Sequence, residues 1–301
     1  MGETVSVTLH NGDVRDLMTL HDWDRALFGN SPLACGTYNL QMESRNYTFG
    51  DTDQASARLR RLAEVYEAET RAFLRHSGVH SPSIAVDLGC GPGWSTRLLQ
   101  EELEPHRTVG LDVSQRYVEE ARHRQISDLE FEVHDIVQIP FPIASPDVLF
   151  CRFLLTHLSP LGQVLASWAR IAALGATLLV HETETLETNN PTLRRYYELL
   201  SEMQQYYGQT LLVGPVLHES FQNSGWQIIE SNGRILQKKA SEMAELHVAN
   251  LRTWRHDEYV SRSFDAEEID SLEDSLEHIA MGIESGEVVI NVARQIVAQR
   301  P

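Results

Sequence analysis

The chain predicts an α/β protein: a seven-stranded sheet with helices on both faces, extended by a helical lid. Three observations carry that prediction. From Ile84 onward, short apolar runs alternate with stretches of helical period, as they do when strands and helices wind into one sheet. The first apolar run, IAVDL, breaks into Gly89, Gly91 and Gly93 at alternate positions and passes at once into the helix-like WSTRLLQEEL. Beyond Thr185 the alternation gives way to aromatic-rich helical stretches, the expected lid.

The elements follow in order. Residues 1 to about 45 mix a short alternating run (Val5 to Leu9) with helical spacing at Leu17, Leu20, Trp23, Leu27 and Phe28, and predict a partly helical cap. Asn46 to Thr52 has loop chemistry around Gly50. From Gln54, the apolar positions Leu59, Leu62, Ala63, Tyr66, Phe73 and Leu74 trace one helix, ended by Gly78 and Pro82. Strands are expected at Ile84, at Arg107 to Val113, at Leu129 to Ile136, at Pro146 to Leu155 and at Ala176 to Thr185. Ser114 caps the helix after the second strand. Ser159 and Pro160 are placed at the N-cap and first turn of the helix after the fourth, with Gly175 as its C-cap. Asn190-Pro191 opens a helix closed by Gly208. A sixth strand is expected at Trp226 to Ile235 and a seventh at Val288 to Val297, with helices over Ser241 to about Val260 and Asp265 to about Ile283 between them. The expected division is residues 1–83 as N-terminal cap and helix, 84–185 as ligand-binding core, and 186–301 as lid plus the strands that complete the sheet.

Composition narrows the function. Of 301 residues, 42% are hydrophobic and 23% charged, ordinary values for a globular domain. Formal net charge is -18, from 43 acids against 25 Lys plus Arg. So acidic a chain, without a local basic run, repels a phosphate backbone and makes nucleic acid a poor partner. The 3 cysteines (Cys35, Cys90 and Cys151) lie far apart and make no disulfide framework or CxxC metal pair, which fits a reducing cytoplasm. No apolar stretch approaches a membrane span, and no leader-like N-terminus is evident. The 13 histidines form no H-x-x-x-H pair beside a carboxylate cluster, and no metal site is expected.

A strand that breaks into glycines and then a helix presents backbone N–H groups to a ligand with no Cβ in the way. Asp112, near the end of the second strand, follows at roughly the 20-residue spacing at which an acid meets ribose hydroxyls. The third glycine comes one place earlier than in G-x-G-x-x-G. Asp87, just before the glycines, would oppose a pyrophosphate but suits a ligand with a positive centre. VDLGCGPG followed by GLDVS resembles the D/E-x-G-x-G-x-G motif of the class I S-adenosylmethionine-dependent methyltransferases.

That resemblance implies a Rossmann-like sheet, mostly parallel with the last strand antiparallel, and S-adenosylmethionine as cofactor. It implies that Asp87, Gly89, Gly91 and Gly93 approach the methionine part, and that Asp112, with Val113 beside it, takes the ribose. Asp135 with the Ile136 amide would hold the adenine, and Cys151–Arg152 would face the amino-acid end. Similar sequences carry Tyr-x-x-Gly and a following arginine before the first strand, here Tyr47 to Gly50 and Arg58; an arginine suits the ligand carboxylate. A solvated loop acid and a solvated helix arginine are the plain alternatives for Asp135 and Arg58.

His157, His181 and Glu182 fall at the ends of strands four and five, where a methyl acceptor would sit. His157 and Glu182 are the candidate catalytic pair, with His157 the first candidate base. Alternate strand residues face opposite ways, so His181 and Glu182 share the pocket only if the strand has ended. The aromatic set Tyr196, Tyr197, Tyr206, Tyr207, Trp254 and Tyr259 is expected partly to pack the lid and partly to roof the acceptor. The expectation is therefore a cytoplasmic enzyme, monomer or homodimer, that methylates an O or N atom of a small, largely apolar molecule. The rivals are a methyltransferase acting on a macromolecule, RNA or protein, and a non-catalytic module that binds the cofactor or its S-adenosylhomocysteine product. After strand four the chain reads CRFLL, without the DPPY or NPPY run of amino-group nucleic-acid methylation.

Overall fold

The computed structural model describes residues 50–124, 129–282 and 287–301. Seven strands form one sheet: β1 (Ile84–Leu88), β2 (Arg107–Asp112), β3 (Leu129–Val133), β4 (Val148–Arg152), β5 (Thr177–Thr188), β6 (Gln227–Lys239) and β7 (Val288–Gln299). Their order is β3-β2-β1-β4-β5-β7-β6. The pairs among β1 to β5 are parallel, and β7 runs antiparallel to both β5 and β6. The sheet is thus the expected mostly parallel one with its last strand reversed.

Both faces of the central strands are buried, which is why they read as apolar runs rather than as alternations. Val86, Leu88, Val109, Leu111, Leu149 and Val180 pack on one face with Trp168, whose indole N–H donates to the Ile136 carbonyl at 2.9 Å. Ala85, Val148, Phe150 and Leu179 pack on the other with Leu98, Leu99 and Leu103. Four of the described helix starts have polar caps, Asp257 among them. Thr52 accepts from the Ala55 amide to open α1 (Asp53–Val65), and Ser114 accepts from Tyr117 to open α4 (Gln115–His123). Asn190 accepts from Leu193 and, with Pro191 in the first turn, opens α6 (Pro191–Tyr206).

The single helix expected from Gln54 is two, α1 and α2 (Glu67–His76), broken at Tyr66 (φ -113°, ψ 12°). Tyr66 is buried there, its hydroxyl accepting from Asn291 Nδ2 at 2.8 Å. The break lets α1 pack on α8 (Ala240–Trp254) while α2 packs on α3 (Trp94–Leu103). The expected Ser241–Val260 helix likewise divides into α8 and α9 (Glu258–Ser263), because Asp257 turns its carboxylate onto the Tyr259 amide and starts a new helix. Strand three ends at Val133, three residues early, and strand four gives way to a 3₁₀ turn, Leu155–His157. In α5 (Leu161–Ile171) the N-cap is Pro160, one place later than expected, and Ala172 is the C-cap; Gly175 instead turns the chain toward β5. Between α6 and β6 lies α7 (Gly214–Ser220), and α10 (Ala266–Ala280) packs on α8. The aromatic core of this cap includes Tyr196 and Trp254.

One feature positions the site. The first four strands end at Leu88, Asp112, Val133 and Arg152, but β5 continues past Arg152's partner His181 to Thr188, held by β7 through a bulge at Thr183/Thr185. The extension raises a ledge beside the carboxyl ends of the parallel strands, the edge at which open α/β sheets bind ligands.

The glycine loop itself is tightly packed. Gly93, at φ +85°, is the N-cap of α3, and a Cβ there would lie 2.8 Å from Phe131 Cζ. Gly93→Ala combines left-handed backbone strain with overpacking and should cost about 2–4 kcal/mol in urea unfolding. Gly175→Ala, at φ +79° with nothing within 4 Å, should cost only the backbone part, about 1–2 kcal/mol.

Candidate active site

A cavity of about 1020 Å³ opens over the carboxyl ends of β1, β2 and β4, walled by α1, α6 and α8. Its floor begins at the glycine loop. Gly89 (φ +66°) packs under Leu154, whose Cδ1 would lie 2.6 Å from a Cβ at that position; Gly91 (φ +51°) faces only Leu59 Cδ1 at 3.4 Å. Gly89 and Gly91 line the cavity and Gly93 does not. Asp112 clamps this floor: Oδ2 accepts from the Gly91 amide and Oδ1 from the Ser114 amide, both at 2.8 Å. Burial raises its pKa, and those amides oppose the rise. Each oxygen has a second lone pair in a region where Val113, 66% exposed, offers an apolar surface.

Asp87 is placed differently from the sequence expectation. It is 1% exposed, lies off the cavity wall, and its Oδ2 accepts from the hydroxyls of Ser95 and Thr96, each at 2.7 Å. The carboxylate thus anchors the first turn of α3 from behind the loop. Burial raises its pKa to about 6, offset in part by those hydroxyls and by the Arg152 cation. Cys151 is also fully buried and off the wall, while its neighbour Arg152 reaches the cavity and donates to Thr70 Oγ1 at 2.8 Å. Asp135 and Ile136 both line it; Asp135 is exposed, with Oδ1 accepting from the Val137 amide. Arg58, on α1, is 6% exposed and lines the cavity, its Nε donating to Asn250 Oδ1. Tyr47 lies outside the described residues.

The two candidate catalytic groups sit on opposite sides of the β4 turn. His157 closes the 3₁₀ turn, half-buried on the wall, with Nδ1 3.2 Å from Gln209 Oε1. An amide oxygen only accepts, so the ring proton is on Nδ1, and Nε2 is the nitrogen able to take another. Burial lowers its pKa to about 4, with Gln209 opposing, so the ring is neutral at pH 7. Glu182 also lines the cavity, but its Oε1 accepts from the amides of Leu154 and Leu155, both at 2.8 Å. Burial raises its pKa to about 8. His181, on the opposite side of β5, is off the cavity wall and packs against Phe73 and Phe153.

On the cap side, Tyr197 and Tyr207 line the cavity, whereas Tyr196 and Trp254 are core. Sequence reasoning missed Gln204, Gln209, His247, Asn250 and Asn291, all on the wall. They come from α6, the loop after it, α8 and β7, and only the tertiary fold brings them together. Among the described residues no group of three or more His, Cys, Asp or Glu could hold a metal.

The glycine-loop side of the cavity lies in a stretch, residues 85–175, that matches the family model described as a methyltransferase domain, and the match supports the class I S-adenosylmethionine-dependent methyltransferases as its class. Over 143 residues it is 32% identical to trans-aconitate 2-methyltransferase of Methylobacterium nodulans, covering 48% of this chain and 55% of that protein. Malonyl-[acyl-carrier protein] O-methyltransferase of Yersinia pestis is 29% identical over 136 residues, 43% of this chain and 50% of the relative. The matched stretch is thus about half the length of these relatives. Two solved structures share the fold. One is phosphoethanolamine N-methyltransferase 2 of Haemonchus contortus, with TM-score 0.54, 16% identity, and coverage of 84% of this chain and 59% of that one. The other, from Bacillus halodurans, has TM-score 0.53, 13% identity, and coverage of 78% and 99%. The cofactor of the class, S-adenosylmethionine, fits what the residues offer: an open glycine at Gly91, an acid with spare lone pairs at Asp112, and a roomy cavity beside both.

Glu182 makes a testable contribution to stability. Its folded pKa lies above that of a free glutamate, so the folded state favours the protonated form. Stability from this group is therefore full at low pH and is lost as pH rises from about 4.5 to about 8. Glutamine keeps an oxygen for the Leu154 and Leu155 amides without the charge. Glu182→Gln should match the wild type in melting temperature near pH 4.5 and exceed it increasingly up to pH 8, as differential scanning calorimetry across pH would show.

Proposed function

We propose that the protein transfers a methyl group from S-adenosylmethionine to an oxygen or nitrogen atom of a small, largely apolar molecule. One observation carries this reading: a single cavity has two unlike halves. Gly91, Asp112 and Val113 line one, and Leu200, Leu211, Met243 and Leu246 line the other together with polar residues such as Gln204, His247 and Asn250. At about 1020 Å³ it stands at the top of the range of about 300–1,000 Å³ usual for ligand sites, which leaves room for a donor and an acceptor together. The relatives named above support the small size of the acceptor but not its apolar character, since aconitate and the carrier-borne malonyl group are both carboxylates. The acidic chain argues against a nucleic-acid acceptor.

In this reading the cofactor supplies an electrophilic sulfonium methyl. The chain supplies position. Asp112 receives the ribose hydroxyls while holding the Gly91 amide, so one group fixes both the ligand and the loop beneath it. Val113 and Ile136 offer apolar contact to the adenine, with Asp135 at the rim. Arg58 and Arg152 give positive charge for the amino-acid carboxylate. Holding donor and nucleophile in line accounts for much of the rate of such a displacement, and the walls exclude water from the nucleophile. If the acceptor is a hydroxyl, His157 takes its proton at Nε2; if it is an amine, the residue only orients it.

Two measurements test these roles. Asp112→Ala removes charge-assisted hydrogen bonds worth about 1.5–3 kcal/mol each, so S-adenosylhomocysteine affinity should fall at least about tenfold in calorimetry. Unchanged affinity in a folded variant would remove the ribose assignment. His157→Ala should leave that affinity within a few-fold and lower turnover on a hydroxyl acceptor by about 10², the lower end for a positioned base because its pKa lies well below neutrality. The deficit should shrink as pH rises and the acceptor ionises on its own. Wild-type turnover in this variant would reduce His157 to a packing residue.

A further inference from the structure

Three buried polar atoms around the cap-side half of the cavity have no hydrogen-bond partner among the described residues: Gln204 Oε1, His247 Nδ1 and Asn291 Oδ1. They come from α6, α8 and β7, and their residues, 1%, 4% and 1% exposed, all line the cavity. Buried polar groups are paired in the great majority of cases, so three orphans around one cavity are a feature of that cavity. The side chains are also held in place. Asn291 Nδ2 donates to the Tyr66 hydroxyl at 2.8 Å, and His247 Nε2 lies 2.9 Å from the Tyr197 hydroxyl with its ring stacked on Tyr196 at 4.2 Å. The surrounding wall is apolar: Leu200, Met243 and Leu246. The cluster contains no carboxylate, and burial together with the Arg58 cation keeps His247 neutral. Two amide carbonyls, beside an uncharged ring nitrogen that donates or accepts according to the tautomer set by the Tyr197 contact, match an uncharged head that brings its own hydrogens.

We propose that Gln204, His247 and Asn291 form the acceptor-specificity site, taking a neutral head group with two or more hydrogen-bond donors, such as neighbouring hydroxyls, while an apolar body fills the remaining space. This rests on the reading of the cavity as a methyltransferase site. The site discriminates sharply: a molecule of the same shape without donors leaves these groups buried and unpaired.

The test uses the full-length protein saturated with S-adenosylhomocysteine, with three bicyclic probes in calorimetry: a vicinal dihydroxynaphthalene, its dimethoxy analogue and naphthoate. The dihydroxy probe should bind at least about tenfold tighter than the dimethoxy one, and Gln204→Met and Asn291→Leu should each cut that preference roughly fivefold, the worth of one neutral hydrogen bond. S-adenosylhomocysteine affinity should stay within twofold in both variants. Because Asn291→Leu also strips Tyr66 of its partner, Gln204→Met carries the structural control: removing an unpaired carbonyl should leave the melting temperature of the unliganded protein unchanged or raise it. A marked drop in that temperature, equal binding of the two neutral probes, a preference that survives both variants, or tightest binding by naphthoate would overturn the proposal. Failure of the wild type to bind S-adenosylhomocysteine would instead remove the methyltransferase reading beneath it.

Discussion

The carboxyl group of Glu182 ties the end of one strand to the exit of the next. Its Oε1 takes the amides of Leu154 and Leu155, and the Phe153 amide donates to the His181 carbonyl at 3.1 Å, so the turn after β4 is strapped to β5 at three points. Phe153 adopts φ 53°, a conformation that a non-glycine residue keeps only when its surroundings hold it there. The strap sets the position of Leu154, and Leu154 occupies the space a Cβ at Gly89 would need. The glycine loop, the Asp112 clamp upon it and the turn that carries His157 therefore share one support. A buried acid seldom justifies itself by stability, since desolvation costs more than two neutral amides return. Here it supplies position.

How much of this was legible in the chain depends on distance along it. The strand–glycine–helix passage and Asp112 could be read because the pattern and the Gly91 and Ser114 amides lie close along the chain, whereas the side chains packed against the glycines, Leu59, Phe131 and Leu154, come from outside that unit. Asp87 was misplaced for a local reason. It stands just before the glycines, yet its carboxylate turns to Ser95 and Thr96 behind the loop. The apolar runs of the parallel strands announced burial on both faces, and the clusters around Trp168 and around Phe150 bear this out. The break at Tyr66 was hidden, because the pull on its side chain comes from Asn291, 225 residues away. For the same reason the cap-side wall could not be assembled: Gln204, His247 and Asn291 are unremarkable polar residues until the fold brings three elements to one cavity.

The electrostatics of the cavity differ from what its composition suggests. Histidines, carboxylates and arginines are all well represented on the wall, and burial moves several of them toward neutrality. His157 falls to about 4 and His247 to about 3, Glu182 rises to about 8, and Arg152 falls to about 10. At pH 7 Glu182 is thus held protonated and the two histidines neutral, while Arg152 keeps its charge and the chain as a whole carries a large negative one.

The extension of β5 has a mechanical side as well. The ladder with β7 continues to Thr188 opposite Val289, and β6 stays in register with β7 as far as Lys239 opposite Val288, where α8 begins. The helices on the cap side of the cavity are thus rooted in the longest hydrogen-bonded pairs of the sheet. A roof built on such roots has no hinge beneath it, since tilting it would break cross-strand bonds several at a time.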